Sequence, residues 1–244
     1  VTARRGALLL IPTPLGEPPA PLALPADALF ACGRLRRWIA ENAKTCRAFL
    51  KRVQAGQPLA VPLQQMAIDE LPKHRPLSEE EARALLAPAL AGEDIGLVSD
   101  AGAPGVADPG AVVVAQAHAL GLAVAPCVGP SSIVLALMAG GLNGQRFAFH
   151  GYLPKHQAEC GREIARLEQH SLQYQQTQLF IETPYRNLAL LAALLATLRP
   201  TTRLCVAAGL TTPQQFIRMR AVAQWRRDAA APIDGIPAVF ALQA

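Results

Sequence analysis

The sequence predicts an α/β protein built as two α/β lobes. Three observations carry this expectation. Short apolar runs alternate with stretches whose apolar residues recur at helical spacing. Strand candidates in the first half are separated by helices, which implies a mostly parallel sheet, whereas two in the second half, Gln215 to Trp225 and Pro237 to Leu242, have only a polar, Pro-containing segment between them, which implies a mixed sheet. Finally, 244 residues that are 51% hydrophobic supply core for two lobes of ordinary domain size. A boundary at Pro126 to Gly129 divides the chain into residues 1–126 and 127–244.

In chain order, strands are read at Ala7 to Ile11, Pro58 to Pro62, Ile95 to Ser99, Leu122 to Ala125, Phe147 to His150, Leu179 to Ile181, Arg203 to Ala207 and Ala238 to Leu242. Gln215 to Trp225 is read as a strand lying beside Pro237 to Leu242. Asn42 to Val53 has apolar residues at helical spacing, and Ser78-Glu-Glu-Glu81 forms a capping box ahead of Ala82 to Leu90. Further helices are expected at Ala111 to Leu120, Ser131 to Met138, Gln157 to His170 and Tyr185 to Thr197. Pro18 to Pro25 reads as a proline-rich loop.

Composition excludes several classes. No apolar run approaches the ~20 residues that span a bilayer, and Ala7 to Ile11 is too short for a signal peptide, so a soluble, cytoplasmic protein is expected. Five cysteines without a CxxC pair fit neither a disulfide framework nor a zinc site and are read as reduced, mostly buried thiols. Five dispersed histidines give no metal signature. The net charge of +5 is modest, with local enrichment at Arg34, Arg36 and Arg37 and at Arg218, Arg220, Arg226 and Arg227. Such patches suit either an anionic partner, RNA or a polycarboxylate, or a solvated face. No G-x-G-x-x-G, Walker A or G-x-S-x-G motif is present.

What the chain does carry is a series of loops at strand ends. Leu97-Val-Ser-Asp-Ala-Gly-Ala-Pro-Gly-Val-Ala-Asp-Pro-Gly110 concentrates glycines, prolines and two carboxylates after an apolar run. It reads as a ligand-holding loop or as a long surface turn. Pro12-Thr-Pro-Leu-Gly16 and Val128-Gly-Pro-Ser-Ser132 are similar, and ligands of α/β sheets bind where the carboxyl ends of strands open into a crevice. Ser131 and Ser132 either cap a helix or meet a ligand. His150 and Tyr152, beside a strand, either stand at the entrance of the second lobe within reach of an acceptor or are packing residues, and they stay outside the catalytic candidates.

Val98-Ser-Asp-Ala-Gly-Ala-Pro104 with Asp108-Pro-Gly110, Gly129-Pro130, Arg146-Phe147 with Gly151-Tyr-Leu-Pro154, and Phe180-Ile-Glu-Thr-Pro-Tyr-Arg186 are ordered matches over nearly the whole chain. Together they resemble the tetrapyrrole methylase superfamily, and within it the small-subunit rRNA ribose 2′-O-methyltransferases. The resemblance implies two α/β lobes with an S-adenosyl-L-methionine cleft between them, usually in a homodimer. It also implies cofactor contacts from Leu15, from Asp100, Ala101, Gly102, Ala103 and Val106, from Ser131 and Ser132, and from Glu182, Leu210, Pro237 and Ala238. No metal and no membrane are implied.

Two departures bear on the acceptor. Glu41-Asn-Ala-Lys44 stands where the rRNA enzymes usually carry Glu-Asp-Thr-Arg, so Glu41 and Lys44 are the catalytic candidates, against the alternative of a solvated helix start. Lysine keeps the charge of arginine but loses its bidentate fork. Ala207-Ala-Gly-Leu-Thr-Thr212 replaces an Ala-Arg-Glu-Leu-Thr-Lys pattern and lacks its three charges. The resemblance therefore implies an S-adenosylmethionine-dependent methyltransferase acting on an rRNA ribose, with rRNA or the ribosomal subunit as partner. The alternatives are a tetrapyrrole or other small acceptor, or a cofactor-binding protein without transfer activity.

Overall fold

The computed structural model describes residues 4–16, 24–72, 75–228 and 230–244; residues 18–23 of the proline-rich loop, and His74, lie outside the described residues. The chain divides into two compact units, Val1–Ser131 and Ser132–Ala244. The segment after Pro126 stays with the first unit because Cys127 N–H donates to Leu10 O at 2.9 Å. Gly129 packs there too, where a Cβ would fall 2.4 Å from the Pro12 side chain.

The first unit is a five-stranded parallel sheet of β1 (Ala7–Leu10), β2 (Arg37–Ala40), β3 (Ala67–Glu70), β4 (Ile95–Val98) and β5 (Ala123–Pro126), in the order β3-β2-β4-β1-β5. Its helices are α1 (Ala26–Arg34), α2 (Ala43–Gln54), α3 (Glu79–Leu85), α4 (Ala87–Leu90) and α5 (Gly110–Ala119). The central strand β4 is buried at all four residues, as a strand covered on both faces must be. Trp38, Leu50 and Val53 belong to one apolar cluster and Ile39, Leu86 and Val113 to another. Gly96 makes room for Trp38: a Cβ there would sit 2.6 Å from the indole.

Because every strand runs the same way, the loops that follow β1, β2, β4 and β5 leave the sheet at one edge. The chain leaves β2 toward the outer strand β3, whereas it leaves β4 in the opposite direction, toward β5. That reversal opens a crevice between the ends of β2 and β4.

The second unit holds a mixed sheet of β6 (Phe147–Tyr152), β7 (Thr177–Glu182), β8 (Arg203–Ala208), β9 (Phe216–Ala221) and β10 (Ala238–Gln243), in the order β6-β7-β10-β8-β9. Among the described residues of this sheet, β6 and β7 pair in parallel and the other neighbours antiparallel. Helices α6 (Ser132–Gly140), α7 (Gln157–Tyr174), α8 (Asn187–Thr197) and α9 (Val222–Arg227) complete it. Leu167, Phe180, Leu194, Trp225 and Phe240 centre its core.

Three readings of the sequence are corrected. Pro58 to Pro62 is not a strand; its prolines lack a ladder donor, and the strand forms later, at β3, an edge position that tolerates Asp69 and Glu70. Gln215 to Trp225 is a strand only as far as Ala221, after which α9 buries Trp225, whose indole N–H donates to Leu204 O at 2.9 Å. That strand also does not lie beside β10, because β8 sits between them. Elements α1, β2 and β3 carry weak periodicity and have no counterpart among the sequence expectations.

Candidate active site

The Leu97–Gly110 loop is a folded object rather than a free turn. Thr13 and Gly102 exchange backbone hydrogen bonds at 2.9 and 3.0 Å, tying it to the loop after β1. Thr13 Oγ1 donates to Ser99 O at 3.1 Å. Gly102 has φ +82°, and a Cβ there would meet Leu15 Cδ2 at 3.1 Å, so only glycine serves both demands. The Asp108 carboxylate accepts from Gly105 N–H at 2.8 Å and from Gly110 N–H at 2.7 Å, closing the second half of the loop. Ala107, just before it, is held at φ +62°, an unusual conformation for a side chain with a Cβ.

Glu41 stands at the end of β2, and its Oε1 accepts from Asp100 N–H at 3.0 Å. Thr45, on the first turn of α2, donates its hydroxyl to Asp100 Oδ1 at 2.5 Å. These groups border a recess of about 570 Å³ whose wall includes Glu41, Asn42, Pro72, Arg75, Asp100 and Pro109. Arg75 is itself engaged by Glu81. Burial pushes the Glu41 carboxyl above the ordinary glutamate range, the Asp100 N–H opposes this, and the nearby Asp108 and Asp100 charges reinforce it. Burial also raises Asp108 against the pull of its backbone donors.

Asn42 caps α2, accepting from Lys44 N–H at 2.9 Å and Thr45 N–H at 3.4 Å. It thus does the work an aspartate would do at that position. The Lys44 side chain is exposed and is not part of the recess wall.

Leu15, Asp100, Ala101, Gly102, Ala103 and Val106 therefore gather with Glu41 in the first unit. Ser131 is that unit's last residue, and Ser132 opens α6 in the second. In the second unit, strand register aligns Glu182, Ala238 and Ala208 across β7, β10 and β8. Pro237 O accepts from Gly209 N–H at 2.9 Å, and buried Leu210 follows, so Glu182, Leu210, Pro237 and Ala238 meet at one end of that sheet. Glu182 is buried, with Thr183 N–H on one oxygen at 2.7 Å and the Arg186 guanidinium 3.3 Å from the other.

The charge-poor segment 207–212 has a packing reason. Ala208 is fully buried in the core, where an arginine would not fit. Gly209 has φ +57°, and a Cβ there would fall 3.0 Å from Gln214 O, so the turn closes on itself. The basic clusters are partly consumed as well. Arg37 pairs with Asp69 and Glu93, Arg218 and Arg220 face Asp228, and Arg226 donates to Leu195 O and Leu198 O at the end of α8. Nothing in the sequence singles out Thr45 or Arg75; Asp108 is marked by the Asp-Pro-Gly turn signal.

A parallel α/β unit with glycine-rich loops over a strand-end crevice, joined in one chain to a mixed-sheet α/β unit, defines a two-unit α/β fold. Solved structures of the same fold include the methyltransferase CobJ, with a TM-score of 0.60 and 16% identity over 98% of this chain and 94% of that one. They also include uroporphyrin-III C-methyltransferase from Thermus thermophilus, with a TM-score of 0.56 and 19% identity over 98% and 92%. The latter enzyme has also been solved in complex with S-adenosyl homocysteine.

The chain belongs to the tetrapyrrole (corrin/porphyrin) methylases, whose family model matches residues 26–224. Among curated relatives, ribosomal RNA small subunit methyltransferase I of Micromonospora olivasterospora is 32% identical over 89% of this chain and 64% of its own length. The Pseudomonas aeruginosa protein of the same name is 37% identical over 49% and 41%. The matched stretch thus spans about half the length of such relatives. Among the described residues, no group of histidine, cysteine and carboxylate side chains is placed to hold a metal ion, and no helix is long and apolar enough to cross a membrane.

Proposed function

We propose that the protein is an S-adenosylmethionine-dependent methyltransferase whose acceptor is a ribose 2′-hydroxyl of small-subunit rRNA. The observation that carries this reading is the Glu41 Oε1 to Asp100 N–H hydrogen bond, which sets a carboxylate of raised proton affinity beside the glycine-rich loop. The names of the curated relatives and the S-adenosyl homocysteine complex of a similarly folded enzyme support it.

The donor set fits a cationic amino-acid-bearing cofactor. Asp100 and Glu41 supply carboxylates at the recess, while the Arg75 guanidinium in its wall is already neutralised by Glu81. When bound, S-adenosylmethionine brings a methyl group activated by a sulfonium. Leu15, Gly102, Ala103 and Val106 shape the loop face toward it in the first unit. Holding two reactants in line accounts for most of the rate, roughly 7 to 11 kcal/mol in favourable cases. Glu41 receives the proton that the acceptor hydroxyl gives up, and Lys44, exposed at the mouth of α2, attracts the RNA backbone.

The working form is a cytoplasmic homodimer. Support comes from α6, apolar on every side yet exposing Val134 and Met138, and from five unpaired cysteines suited to a reducing compartment.

Calorimetry with S-adenosylmethionine and its demethylated product tests the cofactor. Binding is expected for both, weakened about tenfold or more by Asp100→Ala, the cost of one charged hydrogen bond. The reading fails if neither molecule binds below millimolar concentration.

A further inference from the structure

We infer that the second unit carries a platform for single-stranded RNA, formed by Tyr152 and Tyr185 with Lys155 at the carboxyl ends of β6 and β7. The inference rests on the RNA acceptor proposed above and assigns side chains to it. Strands β6 and β7 are parallel neighbours, so the loops that follow them emerge side by side. The register slips between Phe149 and Tyr152, and Gly151 turns the backbone at φ +64° with open space around its Cβ position. Bulges of this kind re-aim side chains at strand ends. Tyr152 is thereby left 60% exposed. After β7, a single 3₁₀ turn, Pro184–Arg186, lifts Tyr185 to 75% exposure. Two of the chain's three tyrosines thus stand out from adjacent loops.

Both loops are fixed from beneath. Leu153 is buried in the core. Asn187, fully buried, donates through Nδ2 to Ile233 O at 3.1 Å and Ile236 O at 2.6 Å. Arg186 joins the two loops by donating to Lys155 O at 3.5 Å while facing Glu182 at 3.3 Å. Large aromatic rings that are exposed yet held on rigid backbone are poor packing elements and good stacking surfaces, since every base has a π face. Of the cationic residues in 151–156 and 183–186, Arg186 is already paired with Glu182, which leaves Lys155 with the charge sign a phosphate backbone needs.

The test uses the full chain and a fluorescein-labelled, mixed-sequence, single-stranded oligoribonucleotide followed by anisotropy at two salt concentrations. Calorimetry with S-adenosylmethionine runs in parallel on the same variants. Tyr152→Ala and Tyr185→Ala are each expected to weaken RNA binding about fivefold or more, the loss of one stacked base, while Tyr185→Phe stays within about twofold of the parent. Lys155→Ala should reduce the slope of log affinity against log salt by about 0.7, one phosphate contact. Cofactor affinity and melting temperature should be unchanged in all four. If the parent binds RNA and the alanine variants bind it equally well, or if they lose S-adenosylmethionine instead, the platform is refuted while the RNA acceptor stands. If the parent binds S-adenosylmethionine but not the oligoribonucleotide, the platform is refuted, and the RNA acceptor falls only if small ribosomal subunits also gain no methyl label.

Discussion

Glu41 is the residue on which the proposed chemistry turns, and its environment makes a prediction about pH. Burial raises its folded-state pKa above the ordinary glutamate range, so the folded protein holds that proton more tightly than the unfolded chain does. Stability linked to Glu41 therefore rises as pH falls from the raised value toward the ordinary one. Above the raised value the cost of burying the carboxylate is present in full. Asp108 contributes with the same sign. Glu41→Gln, which keeps a carbonyl acceptor for the Asp100 N–H, should flatten the acid side of the stability curve and raise stability at neutral pH. Urea unfolding across a pH series checks this, and superimposable curves for the two proteins would show that Glu41 is not buried as described.

At the scale of elements, α2 is fixed by its cap. Asn42 accepts from two backbone donors and so sets the start of the helix that carries Thr45 to Asp100. Asn42→Ala should cost about 1 kcal/mol in thermal or chemical unfolding, and Asn42→Asp should cost almost nothing. Equal losses for both variants would mean the cap is not what fixes the helix start.

Elements with strong local signatures were legible from sequence alone. The Ser78 capping box is present with both of its hydrogen bonds, and β4, β7, β8 and β10 fall where their apolar runs lie. What escaped has a tertiary cause. Strand β2 is only Arg37-Trp-Ile-Ala40, and its Trp38 is accommodated by Gly96 from a strand nearly sixty residues away. The Glu41 to Asp100 contact likewise depends on β2 and β4 being neighbours, an order that no local pattern encodes. Loop residues were legible as a set because glycine and proline punctuate them, whereas Thr45 gave no signal.

For the whole molecule, the three apolar clusters among the described residues respect the division of the chain. One lies wholly within the second unit and two within the first. Fragments Val1–Ser131 and Ser132–Ala244 should therefore each unfold cooperatively when expressed alone, as domains of this size with their own cores do. Circular dichroism melts of the two fragments check this. A fragment without a cooperative transition would show that its core depends on the other.

The proposed activity joins these scales, because the parallel sheet sets β2 beside β4, the capped helix and the tied loop fix Asp100, and Glu41 then stands over the recess. The most direct measurement incubates the protein with methyl-labelled S-adenosylmethionine and small ribosomal subunits and follows the label. Label is expected in rRNA at a ribose 2′-oxygen, recovered as an alkali-resistant dinucleotide, with Glu41→Gln slowing its appearance about 10²- to 10⁴-fold. Label absent from RNA, or entering it equally fast with Glu41→Gln, would contradict the proposal.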